Sequence, residues 1–306
     1  METKNKITLP ELASYFQNED AAREFLEQLL WPEGPVCPHC GCIGGHYKIE
    51  SKTESKRPSR KGLWACKDCR KQFSVKVGTM FEGSHVPIHI WLYAFHLLSS
   101  SKKGMSAHQL HRTLGVTYKT AWFIAHRIRY AMESESMEKM SGIVEADETY
   151  VGGKCPRPIM ASHKGKTPVF SLVERGGRVK SQVVDRVTSK NLKAVIRENV
   201  ETTSTIMTDD FSSYKGLNKE FYQHKVIRHS RGVYSRPGGV HTNTIEGYFS
   251  ILKRGIVGIY QHVGKQHLDR YLAEFDFRYN ARKITDGERA ILALKGIEGK
   301  RLTYKD

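Results

Sequence analysis

The chain has 306 residues, enough for two or three domains that each bury a core. Hydrophobic residues make up 39 % and charged residues 26 %, a balance that indicates a globular protein and excludes a largely disordered chain. The 49 Lys and Arg exceed the 32 Asp and Glu, so the net charge is +17 and nucleic acid is the favoured class of partner. An RNA-binding protein would carry a similar charge, so charge alone does not give the function.

The cellular location is predicted from the N-terminal sequence and from the cysteines. METKNKITLPELASYF has no signal-peptide core, and the longest apolar stretch, residues 90–98, is too short to cross a membrane. Six cysteines, four of them in two CxxC pairs, fit metal binding in a reducing compartment better than a disulfide framework. We therefore expect a cytoplasmic protein with no membrane partner.

The first third of the chain changes character near Pro32. Apolar residues recur at helical spacing over residues 7–30, and a break at 18–20 predicts two short N-terminal helices within residues 1–32. Residues 33–84 are rich in Gly, Pro and Cys around a basic stretch. They predict a small β unit stabilised by a metal ion, a zinc ribbon.

The predicted zinc ligands are four cysteines in two CxxC pairs: Cys37, Cys40, Cys66 and Cys69. Each pair can chelate from one tight turn, and four thiolates complete a closed tetrahedral Zn²⁺ shell. Four reduced, buried cysteines would not explain the paired spacing. Cys42 is one residue away from the ligand spacing, and His39 or His46 could replace a cysteine ligand, although nothing requires it.

Residues 85–135 predict a helix-turn-helix region. A helix begins near Ile88, Ser106 is placed to cap a short second helix, Gly115 makes a turn, and Thr117 opens a longer helix. Two helices joined by a glycine-containing turn are typical of DNA-binding domains, in which the second helix enters the major groove.

Basic side chains in these two regions are the candidate DNA contacts. We single out Arg57, Arg60, Lys61, Arg70, Lys71, Lys119 and Arg127. A run of charge is most often a solvated loop, but beside a helix-turn-helix it favours phosphate contact. In the helix after Thr117 we expect Lys119 and Arg127 to project outward. An ordinary amphipathic core helix is an equal alternative for any single residue there.

Residues 136–306 predict an α/β domain. The apolar segment IVEADETYV and residues 169–174, 179–187, 205–208 and 225–229 are expected to be strands, and residues 191–200, 244–254 and 267–280 are expected to be helices. Strands followed by alternating helices and strands predict a sheet of mixed direction. The whole chain is thus a multidomain protein with a zinc ribbon, a helix-turn-helix and an α/β domain.

Three carboxylates of this last region form a candidate catalytic site. Asp147 lies in an apolar strand, where a carboxylate is costly unless it is solvated, paired or metal-bound. Asp209 follows a strand and Glu246 lies in a predicted helix, so three separate elements could hold two divalent ions. Lys253 is two helical turns after Glu246 on the same face, where it would meet DNA phosphate.

Each carboxylate also has an ordinary explanation. Asp147 could flank the end of a strand, Asp209 could be a turn residue, and Glu246 could close a capping box with Asn243. Together with Lys253, however, the set favours a site. The sequence leaves open whether Asp209 or Asp210, and whether Glu246 or Asn243, is the ligand.

Five segments carry a resemblance to a known family: WPEGPVCPHCG, LWACKDCRKQFSVKVGTMFEGSHVPIHIWLYAF, EADETYVGGK, TDDFSSY and HTNTIEGYFSILKRG. They resemble the IS1595-like (ISXO2-like) insertion-sequence transposases, which combine a zinc ribbon with a DDE domain, over nearly the whole chain. The last three segments are the most specific, because they hold Asp147, Asp209 and Glu246 in family order.

The resemblance implies an RNase H-like fold, Mg²⁺ or Mn²⁺ as catalytic ions and two-metal-ion phosphoryl transfer on DNA. It also implies terminal inverted repeats and target DNA as substrates, a homo-oligomer that joins two DNA ends, and a nucleoid-associated prokaryotic protein. The alternatives are an RNase H-like nuclease or resolvase without strand transfer, and a domesticated DNA-binding regulator. A nucleophilic tyrosine, Tyr150 or Tyr214, would not need three carboxylates.

Overall fold

The computed structural model describes residues 16, 18–50, 61–133, 138–152, 165–228, 232 and 235–302. They form two compact units. The first comprises the described parts of Met1–Ser101, Met105–Met132 and Ile284–Asp306, and the second those of Lys102–Gly104 and Glu133–Lys283. The segment from Ile284 thus belongs to the first unit, although the sequence was divided so that residues 136–306 formed one domain. The other domain boundaries stay predictions.

The first unit begins with helix α1, Glu19–Leu30. Asn18 caps it, because its Oδ1 accepts a hydrogen bond from the backbone N–H of Ala21 at 2.8 Å, as the break in the apolar pattern predicts. The helix predicted before Asn18 falls largely outside the described residues. Three short antiparallel strands follow in the order β1-β2-β3: β1 is His46–Lys48, β2 is Trp64–Cys66 and β3 is Gln72–Phe73.

Three helices complete this part of the first unit: α2 is Ile88–Ser100, α3 is Ala107–Leu114 and α4 is Tyr118–Met132. The hydroxyl of Ser106 accepts from the N–H of Gln109 at 3.2 Å, and Gly115 ends α3 with a φ of 66°. A left-handed φ there favours glycine. The helices, the cap and the turn therefore match the predicted secondary structure.

Helix α4 is more deeply buried than expected, and the prediction that Arg127 projects outward to DNA is wrong. Its side chain is 6 % exposed and donates hydrogen bonds to the backbone carbonyls of Met80 and Leu302. A buried guanidinium needs such partners, and two backbone carbonyls supply them here. Lys119, the second residue of α4, is exposed as predicted.

The second unit contains a five-stranded sheet of mixed direction in the order β6-β5-β4-β7-β8. The strands are β4 Ile143–Val151, β5 Thr167–Glu174, β6 Val179–Val183, β7 Thr205–Thr208 and β8 Gln223–Val226. Strands β6, β5 and β4 are antiparallel neighbours, whereas β4, β7 and β8 are parallel. This confirms the predicted mixed sheet. Strand β6 ends at Val183, earlier than the predicted residue 187, and Thr188 caps the next helix.

Helices cover both faces of this sheet. Helix α5, Ser189–Asn199, contributes Leu192 and Ile196 to one apolar cluster with the sheet. Helices α6, Asn243–Gly255, and α7, Leu268–Asn280, form the cluster on the other face. Strand β4 therefore lies between two cores, and alternate side chains of the strand face α5 or α6.

Several elements were missed by the sequence reading. A two-stranded ladder, β9 Ser235–Arg236 with β10 Val240–His241, precedes α6, and a π-helical segment, Ile256–Tyr260, follows it. A last helix, α8, Asp286–Lys295, packs on α2 in the first unit and begins with a capping box between Thr285 and Glu288. Among the described residues, no helix is long and apolar enough to cross a membrane.

Candidate zinc site and candidate active site

The four predicted zinc ligands come together. The Sγ atoms of Cys37 and Cys69 are 3.6 Å apart, those of Cys40 and Cys66 are 3.7 Å apart, and all four lie within 4.8 Å of one another. A tetrahedral shell with Zn–S bonds of about 2.3 Å has sulfur–sulfur distances of about 3.8 Å. The cluster therefore has the size of a closed Zn²⁺ site, and its four thiol donors suit that ion.

Backbone N–H groups prepare two of these cysteines to be thiolates. Burial raises the pKa of Cys37. The N–H groups of His39 and Cys40, which donate to its sulfur, have the opposite and larger combined effect, so the pKa is lowered to about 7. The N–H of Cys69 is the main cause that lowers the pKa of Cys66. Since the thiolate is the form that binds metal, these backbone groups favour binding at Cys37 and Cys66. The N–H of Cys42 lowers the pKa of Cys40, but burial and the neighbouring cysteine side chains raise it to about 12.

Neighbouring residues that could have served as ligands are engaged elsewhere. His39 Nε2 lies 3.3 Å from the carbonyl oxygen of Gln72, and His46 Nε2 lies 3.0 Å from that of Cys42. The Asp68 side chain is the main cause that raises the pKa of Cys42, to about 11, which disfavours a thiolate there. Neither histidine nor Cys42 belongs to the four-sulfur group.

The candidate DNA contacts of the first unit differ in their placement. Arg70 and Lys71 are exposed beside the second CxxC turn, and Lys61 is exposed and pairs with Asp20 at 2.6 Å. Arg57 and Arg60 lie outside the described residues. On α4, exposed Tyr118 precedes Lys119 and stacks on His108 with ring centroids 4.3 Å apart.

In the second unit, two neighbouring parallel strands bring Asp147 and Asp209 into one cleft. Glu145 of β4 and Met207 of β7 are the last paired residues of these strands, and the two aspartates each lie two residues further along the chain. Asp147 lies in the middle of β4 on the same face as Glu145, which is the α6 face, and Asp209 directly follows the carboxyl end of β7. This is the edge where open α/β sheets bind ligands.

Asp147 is in a strongly anionic environment. Burial is the largest cause that raises its pKa, to about 8, and the negative charges of Glu148, Asp209 and Glu246 raise it further. Carboxylates that repel one another in a desolvated place favour a cation between them. The donor set consists of carboxylate oxygens, the ligands that Mg²⁺ and Mn²⁺ prefer, so the residues fit the expected ions.

Glu246 does not close the capping box considered from the sequence. Helix α6 begins at Asn243, and its cap residue is Thr242, whose side chain makes no capping hydrogen bond. Instead, the Thr242 hydroxyl donates to Glu246 Oε1 at 3.3 Å. The alternative in which Asn243 is the cap and Glu246 its partner is therefore wrong.

One cleft of about 600 Å³ collects the predicted carboxylates. It is lined by Asp147, Glu148, Thr149, Asp209, Glu246, Phe249, Ser250, Lys253 and Arg254. Asp210 and Asn243 are exposed and are not among these lining residues. Within the described part of the chain, only the four cysteines form a group whose metal-binding atoms all lie within 4.8 Å. The three carboxylates thus share the cleft with wider spacing.

The sequence reading missed the role of Glu148 as a neighbour of this cleft. Burial raises its pKa, and the Tyr214 hydroxyl donates a hydrogen bond to its Oε2. Tyr214 is 1 % exposed and its own pKa is raised well above 10 by burial and by the charge of Glu148. A buried, protonated phenol is a poor nucleophile, which argues against attack by Tyr214. The two consecutive acidic residues Asp147 and Glu148 were the sequence signal that could have revealed Glu148 as a neighbour of the cleft.

Comparisons with known proteins agree on one kind of protein. The family model of the ISXO2-like transposase domain matches residues 139–280, and that of the transposase zinc-ribbon domain matches residues 17–72. A Halobacterium salinarum protein, "Uncharacterized protein in transposable element ISH50", is 27 % identical over 284 residues, which cover 86 % of this chain and 91 % of that protein.

A second relative is shorter. The "Uncharacterized transposase-like protein" of Haemophilus influenzae is 31 % identical over 107 residues, 35 % of this chain and 85 % of that protein. Among solved structures, a chain of a simian T-cell lymphotropic virus intasome in complex with PP2A regulatory subunit B56 gamma matches at 16 % identity with a TM-score of 0.29. This match covers 55 % of the present chain and 63 % of the other, and the similarity is too low to support a conclusion.

Proposed function

Because the chain belongs to the IS1595-like family of insertion-sequence transposases, we propose that it binds the terminal inverted repeats of a DNA element and catalyses metal-dependent strand cleavage and strand transfer. The observation that carries the proposal is the cleft that Asp147, Asp209 and Glu246 share with Lys253. We assign the mixed sheet that bears the two aspartates to the RNase H-like class.

The catalytic ions are Mg²⁺ or Mn²⁺, held by the carboxylates of Asp147, Asp209 and Glu246. When bound, such ions activate the attacking oxygen and stabilise the charge that develops at phosphorus. The raised pKa of Asp147 supports this assignment, since a cation relieves the repulsion among these carboxylates. The Zn²⁺ of the four cysteines is structural and takes no part in the chemistry in this proposal.

Side chains of the cleft orient the DNA. Lys253 is exposed on the same face of α6 as Glu246, and Arg254 follows it, so both cations are available to bind phosphate oxygens. Buried Tyr214 holds Glu148 and does not attack DNA. The nucleophile is then water for cleavage and the freed 3′-hydroxyl for joining, and no covalent protein–DNA intermediate forms.

The first unit recognises the DNA in this proposal. In this proposal α3 and α4 act as a helix-turn-helix, with Lys119 and the stacked pair of His108 and Tyr118 at its exposed surface. Lys61, Arg70 and Lys71 of the zinc ribbon contact phosphates, and Arg57 and Arg60 stay predictions. Two DNA ends must be joined to one target, so we propose a homo-oligomer in the complex that holds them.

A strand-transfer assay tests this function against its alternatives. The substrates are a labelled terminal-repeat duplex and a supercoiled plasmid, incubated with the protein and Mg²⁺. A transposase cleaves the repeat end and joins the 3′-hydroxyl to the plasmid. Cleavage without joining would favour a nuclease or resolvase, and binding without cleavage would favour a DNA-binding regulator.

A further inference from the structure

Glu145 is a buried carboxylate beside the cleft that the proposed chemistry does not use. Its side chain is fully buried in β4, on the same strand face as Asp147 two residues later. Its Oε2 accepts from the backbone N–H of Ile245 at 2.9 Å, and its Oε1 accepts from the Thr244 hydroxyl at 2.8 Å. Glu145 thus holds the first turn of α6, the turn that contains Glu246.

Arg175, just after β5, completes the arrangement. Its Nε donates to Glu145 Oε1 at 2.7 Å, so the buried carboxylate and the partly exposed guanidinium form an ion pair. The rest of the guanidinium donates from Nη1 to the carbonyl of Gly239 at 2.6 Å and from Nη2 to that of His241 at 2.7 Å. Nη2 also lies 3.1 Å from the sulfur of Met207 on β7.

The pair therefore contacts each of the three elements that carry the proposed ligands. Glu145 precedes Asp147 by two residues on β4, Met207 precedes Asp209 by two residues on β7, and Ile245 directly precedes Glu246 on α6. We propose, as an extension of the proposed function, that Glu145 and Arg175 are positioning residues that set the spacing of the three carboxylates for metal binding.

Glu145 and Arg175 act through their charges and hydrogen bonds, and not through the volume of their side chains. Both oxygens of Glu145 accept from donors, so a glutamine would turn its amide group toward an N–H or a guanidinium and leave one donor without an acceptor. The planar guanidinium reaches in several directions at once, which a lysine cannot do. Phosphoryl transfer depends on sub-ångström placement, and a shift of about 1 Å can cost about 100-fold in rate.

The test compares Glu145→Gln with Glu274→Gln in the full-length, zinc-loaded protein. Glu274 is an equally buried carboxylate in the same unit, where it pairs with Arg278 and accepts a hydrogen bond from the Tyr260 hydroxyl. Both variants lose the charge of a buried ion pair, so they control for general destabilisation. Thermal unfolding, Mn²⁺ binding by electron paramagnetic resonance and single-turnover cleavage of terminal-repeat DNA are measured for each.

We expect Glu145→Gln to weaken Mn²⁺ binding and to slow cleavage by about 100-fold, while DNA binding is retained. Glu274→Gln should keep both properties at a similar unfolding temperature. Thr244→Val removes one hydroxyl donor and leaves the ion pair intact, so it serves if Glu145→Gln fails to fold, and it should slow cleavage by about tenfold.

Two results separate the inference from the function on which it rests. Equal losses of Mn²⁺ affinity in Glu145→Gln and Glu274→Gln, or unchanged cleavage in Thr244→Val, would overturn the positioning role. Absence of Mn²⁺ binding and of cleavage in the unmutated protein would instead count against the proposed function itself.

Discussion

Asp147, in the middle of β4, lines one cleft with Asp209, which follows the last residue of the neighbouring parallel strand β7, two residues beyond the last paired residues of the two strands, Glu145 and Met207. This relationship brings two carboxylates together in a place where burial and mutual repulsion raise the pKa of Asp147 to about 8. The same arrangement is stable with both groups ionised once a divalent cation is bound between them.

Zinc is tested by a matched pair of cysteine variants. Cys69→Ser removes one of the four clustered sulfurs, so we expect the protein to lose about one Zn²⁺ per chain and to bind terminal-repeat DNA more weakly. Cys42→Ser changes a thiol outside the cluster and should keep the zinc. Elemental analysis of both proteins measures this. An unmutated protein that contains no zinc would refute the assignment.

Lys119 and Arg127 lie on one helix but should behave differently. Lys119 is exposed, so Lys119→Ala should weaken DNA binding and reduce the slope of log K against log salt concentration by about one. Fluorescence anisotropy at several salt concentrations measures the slope. Binding that hardly changes with salt would remove the electrostatic argument.

Arg127→Ala should act on stability instead. The substitution leaves the carbonyls of Met80 and Leu302 without their buried donor, which lowers the free energy of unfolding by ~1–3 kcal/mol. Denaturant unfolding measures this loss. A fully stable Arg127→Ala protein with a reduced salt slope would show that Arg127 contacts DNA after all.

Tyr214→Phe tests whether Tyr214 is the nucleophile. The phenol is buried and donates to Glu148, so its loss should slow cleavage by about 10- to 150-fold, the effect of one hydrogen bond to a charged group, without abolishing it. No protein–DNA adduct should be detected by denaturing electrophoresis. An inactive Tyr214→Phe enzyme, together with a covalent adduct in the unmutated protein, would favour a tyrosine recombinase mechanism.

Asp276 on α7 should make the free energy of unfolding decrease as the pH rises. Burial raises its pKa from the ordinary value of 3.8 to about 6, against the hydrogen bonds that Tyr248 and Ser181 donate. Because the folded pKa is above the unfolded one, the stabilisation is fully present below about pH 4 and is lost as the pH rises through about 6. We expect the contribution of Asp276 to the free energy of unfolding to fall by at most about 3 kcal/mol over this window.

The comparison is made with Asp276→Asn, which cannot ionise. The difference in unfolding free energy between the unmutated protein and Asp276→Asn should decrease from pH 4 to pH 6. Denaturant titrations at a series of pH values measure it. A difference that stays constant over this range would show that Asp276 does not titrate there.

Local patterns in the sequence predicted much of the fold and part of the candidate site. The caps at Asn18 and Ser106 and the turn at Gly115 are determined by neighbouring residues, so they could be recognised directly. The pairing of Asp147 with Asp209 depends on strand register, which the sequence indicated only through strand ends.

Long-range contacts account for what the sequence reading missed. Within its own helix, Arg127 looks like a residue of the polar face. The carbonyl groups that accept its hydrogen bonds in the interior belong to Met80 and Leu302, which are distant in the sequence. Glu145 similarly looks like one more acidic residue in an apolar strand. Its function as an anchor of α6 depends on Arg175 and Ile245, which lie on other elements.

The central claim is that Asp147, Asp209 and Glu246 together hold the catalytic ions. The most direct measurement is the rate of Mg²⁺-dependent cleavage of a labelled terminal-repeat end by Asp147→Asn, Asp209→Asn and Glu246→Gln. Asp210→Asn and Asn243→Ala are the matched controls, because each alters a polar neighbour that does not line the cleft. Thermal unfolding is measured in parallel to show that the variants are folded, together with DNA binding.

We expect the three ligand variants to bind the repeat normally and to cleave it about 100-fold or more slowly, whereas both control variants stay active. A fully active Glu246→Gln enzyme would remove Glu246 from the site, and an inactive Asp210→Asn beside an active Asp209→Asn would contradict the placement of the second carboxylate.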